Sequence, residues 1–362
     1  WAEHPAQAEL GLEVEIFQAL ESISALYRAG VETYNVIQRR APWAHHLYFG
    51  FLEFAQLHAR ASRISPQARQ RFRAKIAEAQ PNVVVSTHAH LNHGFFELVR
   101  EVRPACRVVT YCGEVFGGYG FARGWVNPRA DHFIAATEAC AEQARWLGMP
   151  TKRCHVGGFL LNPAFWEPEP SQEELHRNLC QQAGLPGEQP LIILSTGANS
   201  ANNHLRLLEA MARERVYAEV IALCGGDAEA QAEIKAWESA QQTLAVAALP
   251  RQSSEELRRY MLRAAAIVAR PGTGTTSEAI LCGTPIIHNG LGGIMPQEWL
   301  TVKYLRTFES DRVIGRPVQL PDVLAPLLRS VDDREAARTQ MRALCPEGHP
   351  RKILEFLRDL AA

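Results

Sequence analysis

The sequence has no run approaching the roughly 18 consecutive apolar residues that a membrane-spanning helix needs. It also lacks an excess of charge of either sign, since the formal net charge is -1, and this argues against a nucleic acid as partner. The eight cysteines include no C-x-x-C pair and no cluster with histidine at zinc spacing, which predicts free thiols in a reducing compartment. We therefore expect a cytoplasmic globular protein with no metal or other cofactor.

Standard nucleotide-binding motifs are missing as well. No G-x-G-x-x-G fingerprint occurs, and no glycine-rich loop leads into the Gly-Lys-Ser/Thr of a P-loop. The two most specific sequence signatures for dinucleotides and nucleoside triphosphates are therefore excluded. A phosphate site built on a plain strand–turn–helix unit remains open, and residues 266–287 have that pattern.

The stretch 266–287 is the segment around which we expect the chain to be organised. Residues 266–269 form an apolar run typical of a strand buried on both faces, and Gly272 and Gly274 precede a predicted helix. Such glycines let a ligand approach the backbone, and the free amides of a helix start bind phosphate. Glu278 would then face the sugar of a bound nucleotide. The structural alternative is a capping box formed by Thr275 and Glu278.

Strand and helix patterns alternate along the chain in two series, which predicts two tandem α/β domains. Strands are predicted at 12–17, 83–85, 107–111, 132–136, 191–196, 218–224, 243–248, 265–269 and 284–288. Helices are predicted at about 21–38, 44–60, 66–79, 138–147, 334–344 and 350–361, after the polar loop 86–94, and between the strands of the second half, while residues 1–10 look like the tail of a helix. The proline-rich stretch 158–171 is the predicted linker between an N-terminal domain, 1–160, and a C-terminal domain, 171–340. Residues 341–362 would form a C-terminal helix that packs back on the first domain.

Loops in the first half carry the candidates for an acceptor or membrane contact. His88, His90 and His93 follow a predicted strand, but no carboxylate pattern accompanies them as a metal site would require. A glycine-rich loop after the next strand is costly to expose without a purpose, because it contains four aromatic residues. The alternative for these rings is internal packing. The candidates are His93, Phe116, Tyr119, Phe121 and Trp125.

A basic stretch lies in the same half of the chain. No Asp or Glu occurs from 54 to 77, whereas six basic residues do. The stretch is either a solvated helix face or a surface that attracts anionic membranes. The basic residues are Arg60, Arg63, Arg69, Arg71, Arg73 and Lys75.

The residues from Arg270 to Ala279, followed by Gly283-Thr284-Pro285 and by Pro296-Gln297-Glu298, resemble a known family. This pattern, in a chain of two Rossmann-like domains facing a cleft, is similar to the GT-B glycosyltransferases. Within them it resembles the monogalactosyldiacylglycerol synthases and the N-acetylglucosaminyltransferases that form lipid II. The resemblance covers most of the chain and is strongest in the second domain.

The resemblance implies a role for each matching position. The helix-start glycines would lie beside the diphosphate of a UDP-sugar, Glu278 would bind the ribose, and Gln297 and Glu298 would hold the donor sugar. The loop at 197–199 would lie across from the phosphates, and the backbone near Arg251 would contact the base. The implied nucleotide-sugar site comprises Gly197, Ala198, Asn199, Arg251, Gly272, Thr273, Gly274, Thr275, Glu278, Gln297 and Glu298.

The chain departs from the family pattern in two places. The family's first strand and glycine-rich loop, which carry a histidine proposed as catalytic base, are not in this sequence, so we expect the natural N-terminus upstream and leave the base unassigned. The Asn that commonly follows the Gln/Glu pair is replaced by the segment 299–302.

The function implied is inverting, metal-independent transfer of a hexose from a UDP-sugar to a lipid acceptor such as diacylglycerol. The enzyme would lie peripherally on the anionic inner face of the cell membrane. The alternatives are a sugar-nucleotide epimerase of the same architecture and a non-catalytic nucleotide-sugar-binding protein.

Overall fold

The structure is a computed structural model, and it describes residues 1, 4–19, 46, 47, 49, 50, 65–195, 203–241 and 243–362. Two parallel sheets, one in each half of the chain, form its framework. The strands are β1 Val83–Ser86, β2 Arg107–Cys112, β3 His132–Ala135, β4 Cys154–Val156, β5 Leu191–Ser195, β6 Glu219–Leu223, β7 Ala245–Leu249, β8 Ala266–Ala269, β9 Ile286–Asn289 and β10 Val313–Ile314.

Helices join most successive strands, as is usual for the crossovers of a parallel sheet, whereas β2 and β3 are joined by the loop 113–131, which holds the short 3-10 turn Arg123–Trp125. The helices are α1 Pro5–Glu9, α2 Pro66–Ala79, α3 Phe95–Val102, α4 Glu138–Trp146, α5 Gln172–Asn178, α6 His204–Arg213, α7 Ala228–Ser239, α8 Ser254–Arg263, α9 Thr273–Cys282, α10 Glu298–Thr307, α11 Leu320–Leu328, α12 Val331–Arg342 and α13 Pro350–Ala361. Among the residues described, no helix combines the length and the apolar character needed to cross a membrane.

The first sheet has the order β1-β2-β3-β4, and all of its strand pairs are parallel. The second has the order β10-β9-β8-β5-β6-β7, also with parallel pairs. All four residues of β8 and of β9 are buried. This burial explains the continuous apolar sequence of β8, because helices cover both faces of such a sheet.

Side chains pack across the boundary between the two sheet domains. Val115 and Ala136, from loops of the first domain, belong to a core cluster formed mainly by the second domain. Leu300 of α10 belongs to the core of the first domain. The two domains are therefore joined by shared apolar packing as well as by the chain.

The last helix, α13, returns to the first sheet. Ile353 and Leu357 of this helix pack against Val109 and Ile134 of β2 and β3. The side-chain amide of Asn82 donates a hydrogen bond of 3.0 Å to the carbonyl of Ala361 near the helix end. The amphipathic sequence of α13 is thus matched by an apolar face of the sheet.

The strand predicted at 12–17 is wrong. The segment is irregular, and Val14 and Ile16 are exposed. It lies along α2, where Glu15 pairs with Lys75 and Phe17 contacts Phe72. The segment has an alternating pattern, but no strand among the described residues pairs with it.

Other predictions differ from the structure in extent. The helices predicted at 21–38 and 44–60 fall largely on residues outside the described part of the chain. Strands β4 and β10 were not predicted, because three and two residues are too short to show a periodicity. Helices α5, α10 and α11 were also not predicted.

Candidate functional site

The carboxyl ends of β5, β6 and β8 lie at one edge of the second sheet. The strand order reverses between β5 and β8, and in open parallel sheets ligands bind in the crevice at the carboxyl ends of the strands where the order reverses. The turn between β8 and α9 borders this crevice. The loop after β6 follows the neighbouring strand. Gly197, Ala198 and Asn199, which the sequence predicts here, lie outside the described residues.

The turn before α9 leaves the start of the helix uncapped by any side chain of its own. Helix α9 begins at Thr273, and its N-cap residue Gly272 has no side chain to accept the first amides. The capping box of Thr275 and Glu278 is therefore excluded, because Thr275 already lies within the first turn. The sequence prediction placed the start after Gly274, two residues too late.

The two glycines of this turn have free space beside them. A Cβ added to Gly272 or to Gly274 would meet no atom within 4 Å, so protein packing does not require glycine at either position. Their φ angles do not require it either, since neither is in the left-handed region. An open, uncapped helix start with a positive dipole end is suited to an anion.

Glu278 lies farther along α9 and is half-buried. Burial raises the pKa of its carboxyl group to about 7, because the charged form is poorly hydrated there. Within the described part of the chain, no residue donates a hydrogen bond to this carboxylate. The group is therefore available to hydroxyl donors of a ligand.

Glu298 has a different environment from its neighbour Gln297. Its buried carboxylate forms an ion pair with Arg270 and accepts a 2.8 Å hydrogen bond from the backbone N–H of Met295. Arg270 in turn donates to the carbonyl of Asn289 at the end of β9, and to those of Leu291 and Gly293 in the loop between β9 and α10. This network holds the loop in place.

Gln297 is the N-cap residue of α10 and is only partly buried. Its amide lies 3.7 Å from the sulfur of Met295, which is a weak acceptor. Of the predicted pair, Gln297 is thus the residue with the more accessible side chain, whereas Glu298 is occupied by Arg270.

Arg251 follows β7 and is exposed. Its backbone N–H donates a 2.8 Å hydrogen bond to the carbonyl of Gly225, in the loop after β6. That amide is therefore already used within the protein. The predicted backbone contact to a nucleotide base would have to come from other groups of this segment.

The first domain contributes a carboxylate that the sequence analysis did not single out. Glu114 lies in the loop after β2, and its Oε2 is 3.4 Å from Oγ1 of Thr273, the first residue of α9. Trp125 also makes a side-chain hydrogen bond to this carboxylate, and burial raises the pKa of Glu114 to about 7. The sequence feature that could have identified Glu114 is that it is an acidic residue in a loop rich in glycine and aromatic residues.

The aromatic residues of this loop have unequal environments. Phe121 is 5% exposed and belongs to the core of the first domain, so it is not available for a lipid contact. Phe116 and Trp125 are half-buried, whereas Tyr119 is 53% exposed. Internal packing therefore explains Phe121, whereas the Tyr119 ring stays exposed although its hydroxyl lies 2.7 Å from Nδ1 of His46.

Phe116 also borders a cavity of about 490 Å³ between the domains. Tyr304 and Lys352 are among its other lining residues, and none of the residues predicted to bind a nucleotide sugar lines it. The cavity is therefore separate from the open turn before α9.

The three histidines after β1 are not equivalent. His93 makes a 3.0 Å hydrogen bond through Nε2 to the carbonyl of Val126, within the first domain. The rings of His88 and His90 are 5.3 Å apart, and the His88 ring is 6.5 Å from that of Trp125. Burial lowers the pKa of all three, to about 4 for His88.

The first domain also matches a known family. The family model for monogalactosyldiacylglycerol (MGDG) synthase matches residues 6–159. Monogalactosyldiacylglycerol synthase 1 from Arabidopsis thaliana is 22% identical over 259 residues, which are 68% of this chain. The matched part spans 45% of that plant protein, less than half of its length. The family match lies on the first domain, whereas the motifs that suggested the family lie mainly in the second.

Solved structures show the same architecture. HepE from Anabaena, in complex with UDP-glucose, has a TM-score of 0.53 at 12% identity, with 81% of each chain covered. MurG from Acinetobacter baumannii has a TM-score of 0.55 at 14% identity, covering 81% of this chain and 77% of that one.

A putative UDP-N-acetylglucosamine 2-epimerase from Listeria monocytogenes is similar to the same extent, with a TM-score of 0.55 at 13% identity. The alignment covers 82% of this chain and 77% of the epimerase. The fold alone therefore does not separate transferases from epimerases. The chain has the two-domain GT-B fold, and its first domain resembles MGDG synthase in sequence.

Proposed function

We propose that this protein is an inverting glycosyltransferase that moves a hexose from a UDP-sugar to a lipid acceptor such as diacylglycerol. The observation that carries the proposal is the open, uncapped start of α9 at the switch point of the second sheet. A diphosphate bound there would accept hydrogen bonds from the amides of the first turn. The positive end of the helix would stabilise the charge that develops as the diphosphate leaves.

Glu278 would bind the ribose of the same nucleotide. Its half-buried carboxylate has no hydrogen-bond donor among the described residues, and two neighbouring ribose hydroxyls are suitable donors. Gln297, whose side chain is partly accessible, would contact the donor sugar. Glu298 would act through Arg270 by holding the loop that carries Gln297.

The acceptor would bind to the first domain, on the other side of the cleft. The MGDG synthase model matches this domain, which supports a lipid acceptor of the diacylglycerol class. The half-buried Trp125 and the exposed Tyr119 supply aromatic surface near the cleft. The enzyme would work at the cytoplasmic surface of an anionic membrane, and the proposal includes no metal ion.

Two other functions are compatible with the fold. A sugar-nucleotide epimerase is one, because epimerases are among the similar structures. The sequence match of the first domain to MGDG synthase favours the transferase. A non-catalytic nucleotide-sugar-binding protein is the other, and it predicts binding without turnover.

The test is a panel of UDP-glucose, UDP-galactose and UDP-N-acetylglucosamine, each incubated with diacylglycerol or ceramide in vesicles, with EDTA in parallel samples. We expect a glycolipid product identified by mass, unchanged by EDTA. Interconversion of UDP-sugars without a glycolipid would show an epimerase instead. Binding of UDP without any product would support the non-catalytic alternative.

A further inference from the structure

One carboxylate of the first domain reaches the proposed donor site from across the cleft. Glu114 lies at the carboxyl end of β2, and its Oε2 is 3.4 Å from Oγ1 of Thr273 at the start of α9. In the family resemblance this loop has no assigned role. We propose that Glu114 is the catalytic base, which accepts the proton of the acceptor hydroxyl; this inference rests on the proposed function.

The position fits the geometry of an in-line displacement. The leaving diphosphate would occupy the start of α9, and the anomeric carbon is joined to it through one bridging oxygen. In an in-line displacement the acceptor oxygen attacks that carbon from the side opposite the bridging oxygen. With the diphosphate at α9 of the second domain, that side would face the first domain, to which Glu114 belongs. When the donor enters, its phosphate would take the place of the contact between Glu114 and Thr273, and the carboxylate would face the acceptor.

The surroundings of Glu114 suit a base. Trp125 makes a side-chain hydrogen bond to its carboxylate and so orients it. Burial raises the pKa of Glu114 to about 7, which makes the carboxylate a stronger proton acceptor than an exposed one. The ring of His88 is 6.5 Å from that of Trp125, and burial lowers the pKa of His88 to about 4.

The histidines of the loop after β1 are weaker candidates for the catalytic base. His93 is hydrogen-bonded to Val126 of its own domain, and Nδ1 of His88 accepts from the backbone N–H of His90. Neither contact reaches the second domain. Among the described residues of the loops after β1 and β2, Glu114 is a titratable residue whose side chain is hydrogen-bonded to α9.

The proposed step conserves atoms and charge. The O–H bond of the acceptor breaks and its proton passes to the Glu114 carboxylate, while the acceptor oxygen forms a bond to the anomeric carbon. The bond from that carbon to the phosphate oxygen breaks, and its electron pair leaves with UDP. Glu114 then returns the proton to water.

The test compares Glu114→Gln, Glu114→Asp and Glu114→Ala with the wild type, using the donor and acceptor that the panel identifies. The exposed Glu138→Gln, in the same domain, is the matched control. We expect Glu114→Gln to lower kcat at least 100-fold with a UDP affinity within about threefold of the wild type, since general bases contribute at this scale. Glu114→Asp should retain more activity, and added formate should restore part of kcat to Glu114→Ala.

Three results would overturn the assignment. The first is a Glu114→Gln variant that keeps more than a tenth of the wild-type kcat, as expected if the base is a histidine preceding this sequence. The second is tighter UDP binding with unchanged turnover, which would show that the carboxylate merely occupies the anion site. The third is lost turnover without formate rescue. A wild type that transfers no sugar contradicts the proposed function itself, and not this assignment.

Discussion

Gly120 and Pro296 meet where the first domain contacts the second, with no room for a side chain between them. A Cβ on Gly120 would lie 1.9 Å from the Pro296 carbonyl oxygen, and the residue has a φ of +99°. Through this contact the loop that carries Glu114 rests on the loop that leads to Gln297. The proposed acceptor and donor loops are therefore in direct backbone contact.

The first prediction concerns this contact. Gly120→Ala should destabilise the protein and lower turnover, because a backbone carbonyl has to move and because a positive φ costs an alanine about 1–2 kcal/mol. Gly118→Ala is the matched control: it shares a positive φ of +88°, but its nearest atom is the flexible Lys303 Nζ at 3.5 Å. Urea unfolding measures the loss of stability in each variant, and steady-state kinetics measures the loss of turnover. Equal effects of the two variants would show that only the φ angle matters.

The second prediction tests the nucleotide site. Glu278→Ala should weaken UDP binding by about 1–3 kcal/mol, the scale for losing a hydrogen bond to a charged group. Calorimetric titration with UDP measures it, and thermal unfolding checks that the variant is folded. Unchanged UDP affinity in a folded variant would remove Glu278 from the site.

The third prediction concerns pH. Burial raises the pKa of Glu278 from its ordinary 4.5 to about 7, so the folded protein holds a proton that the unfolded chain has released between these values. This group therefore makes stability fall as pH rises from 4.5 to 7, with the full cost present above 7. Glu278→Gln should stabilise the protein at pH 8 by on the order of 1–3 kcal/mol, and much less at pH 4.5.

Urea unfolding of wild type and Glu278→Gln at several pH values measures this difference. The exposed Glu229→Gln is the control for removal of one negative charge. A stability difference between Glu278→Gln and wild type that does not change with pH would contradict the predicted titration.

The fourth prediction separates Glu298 from Gln297. The side chains of Arg270 and Glu298 are only 11% and 4% exposed, so Glu298→Ala would leave a buried guanidinium without its partner. We expect a loss of about 3–5 kcal/mol in unfolding free energy. Gln297→Ala should change stability little but lower turnover, with UDP affinity nearly unchanged. Similar stability losses in both variants would contradict the distinction.

The fifth prediction concerns the membrane. On α2, Arg73 pairs with Glu101, whereas Arg71 is exposed and forms no ion pair with any described residue. Arg71→Glu should weaken salt-sensitive binding to anionic liposomes, by about 1 kcal/mol per unit of charge near the surface. Tyr119→Ser should weaken a salt-resistant component instead.

Liposome co-sedimentation at low and high salt measures both components. Arg329→Glu, an exposed site of the second domain, is the control for charge reversal. Failure of the wild type to sediment at low salt would contradict a membrane role for either surface.

The sequence by itself determined the architecture of this protein. The apolar run of β8 and the glycine turn after it are local patterns, and so are the strand and helix periods that predict two α/β domains. Local patterns suffice because backbone hydrogen bonds and the burial of one face depend mainly on neighbouring residues. The same logic failed for 12–17, where alternation was present but no neighbouring strand was described to pair with it.

Only the tertiary structure decided how residues distant in sequence share an environment. It brought Glu114 to Thr273, 159 positions apart, and paired Glu298 with Arg270 instead of leaving it accessible like Gln297. It also buried Phe121 and left Tyr119 exposed, although both lie in one loop. These outcomes depend on how the two domains pack, and no local periodicity encodes which side chains meet across that boundary.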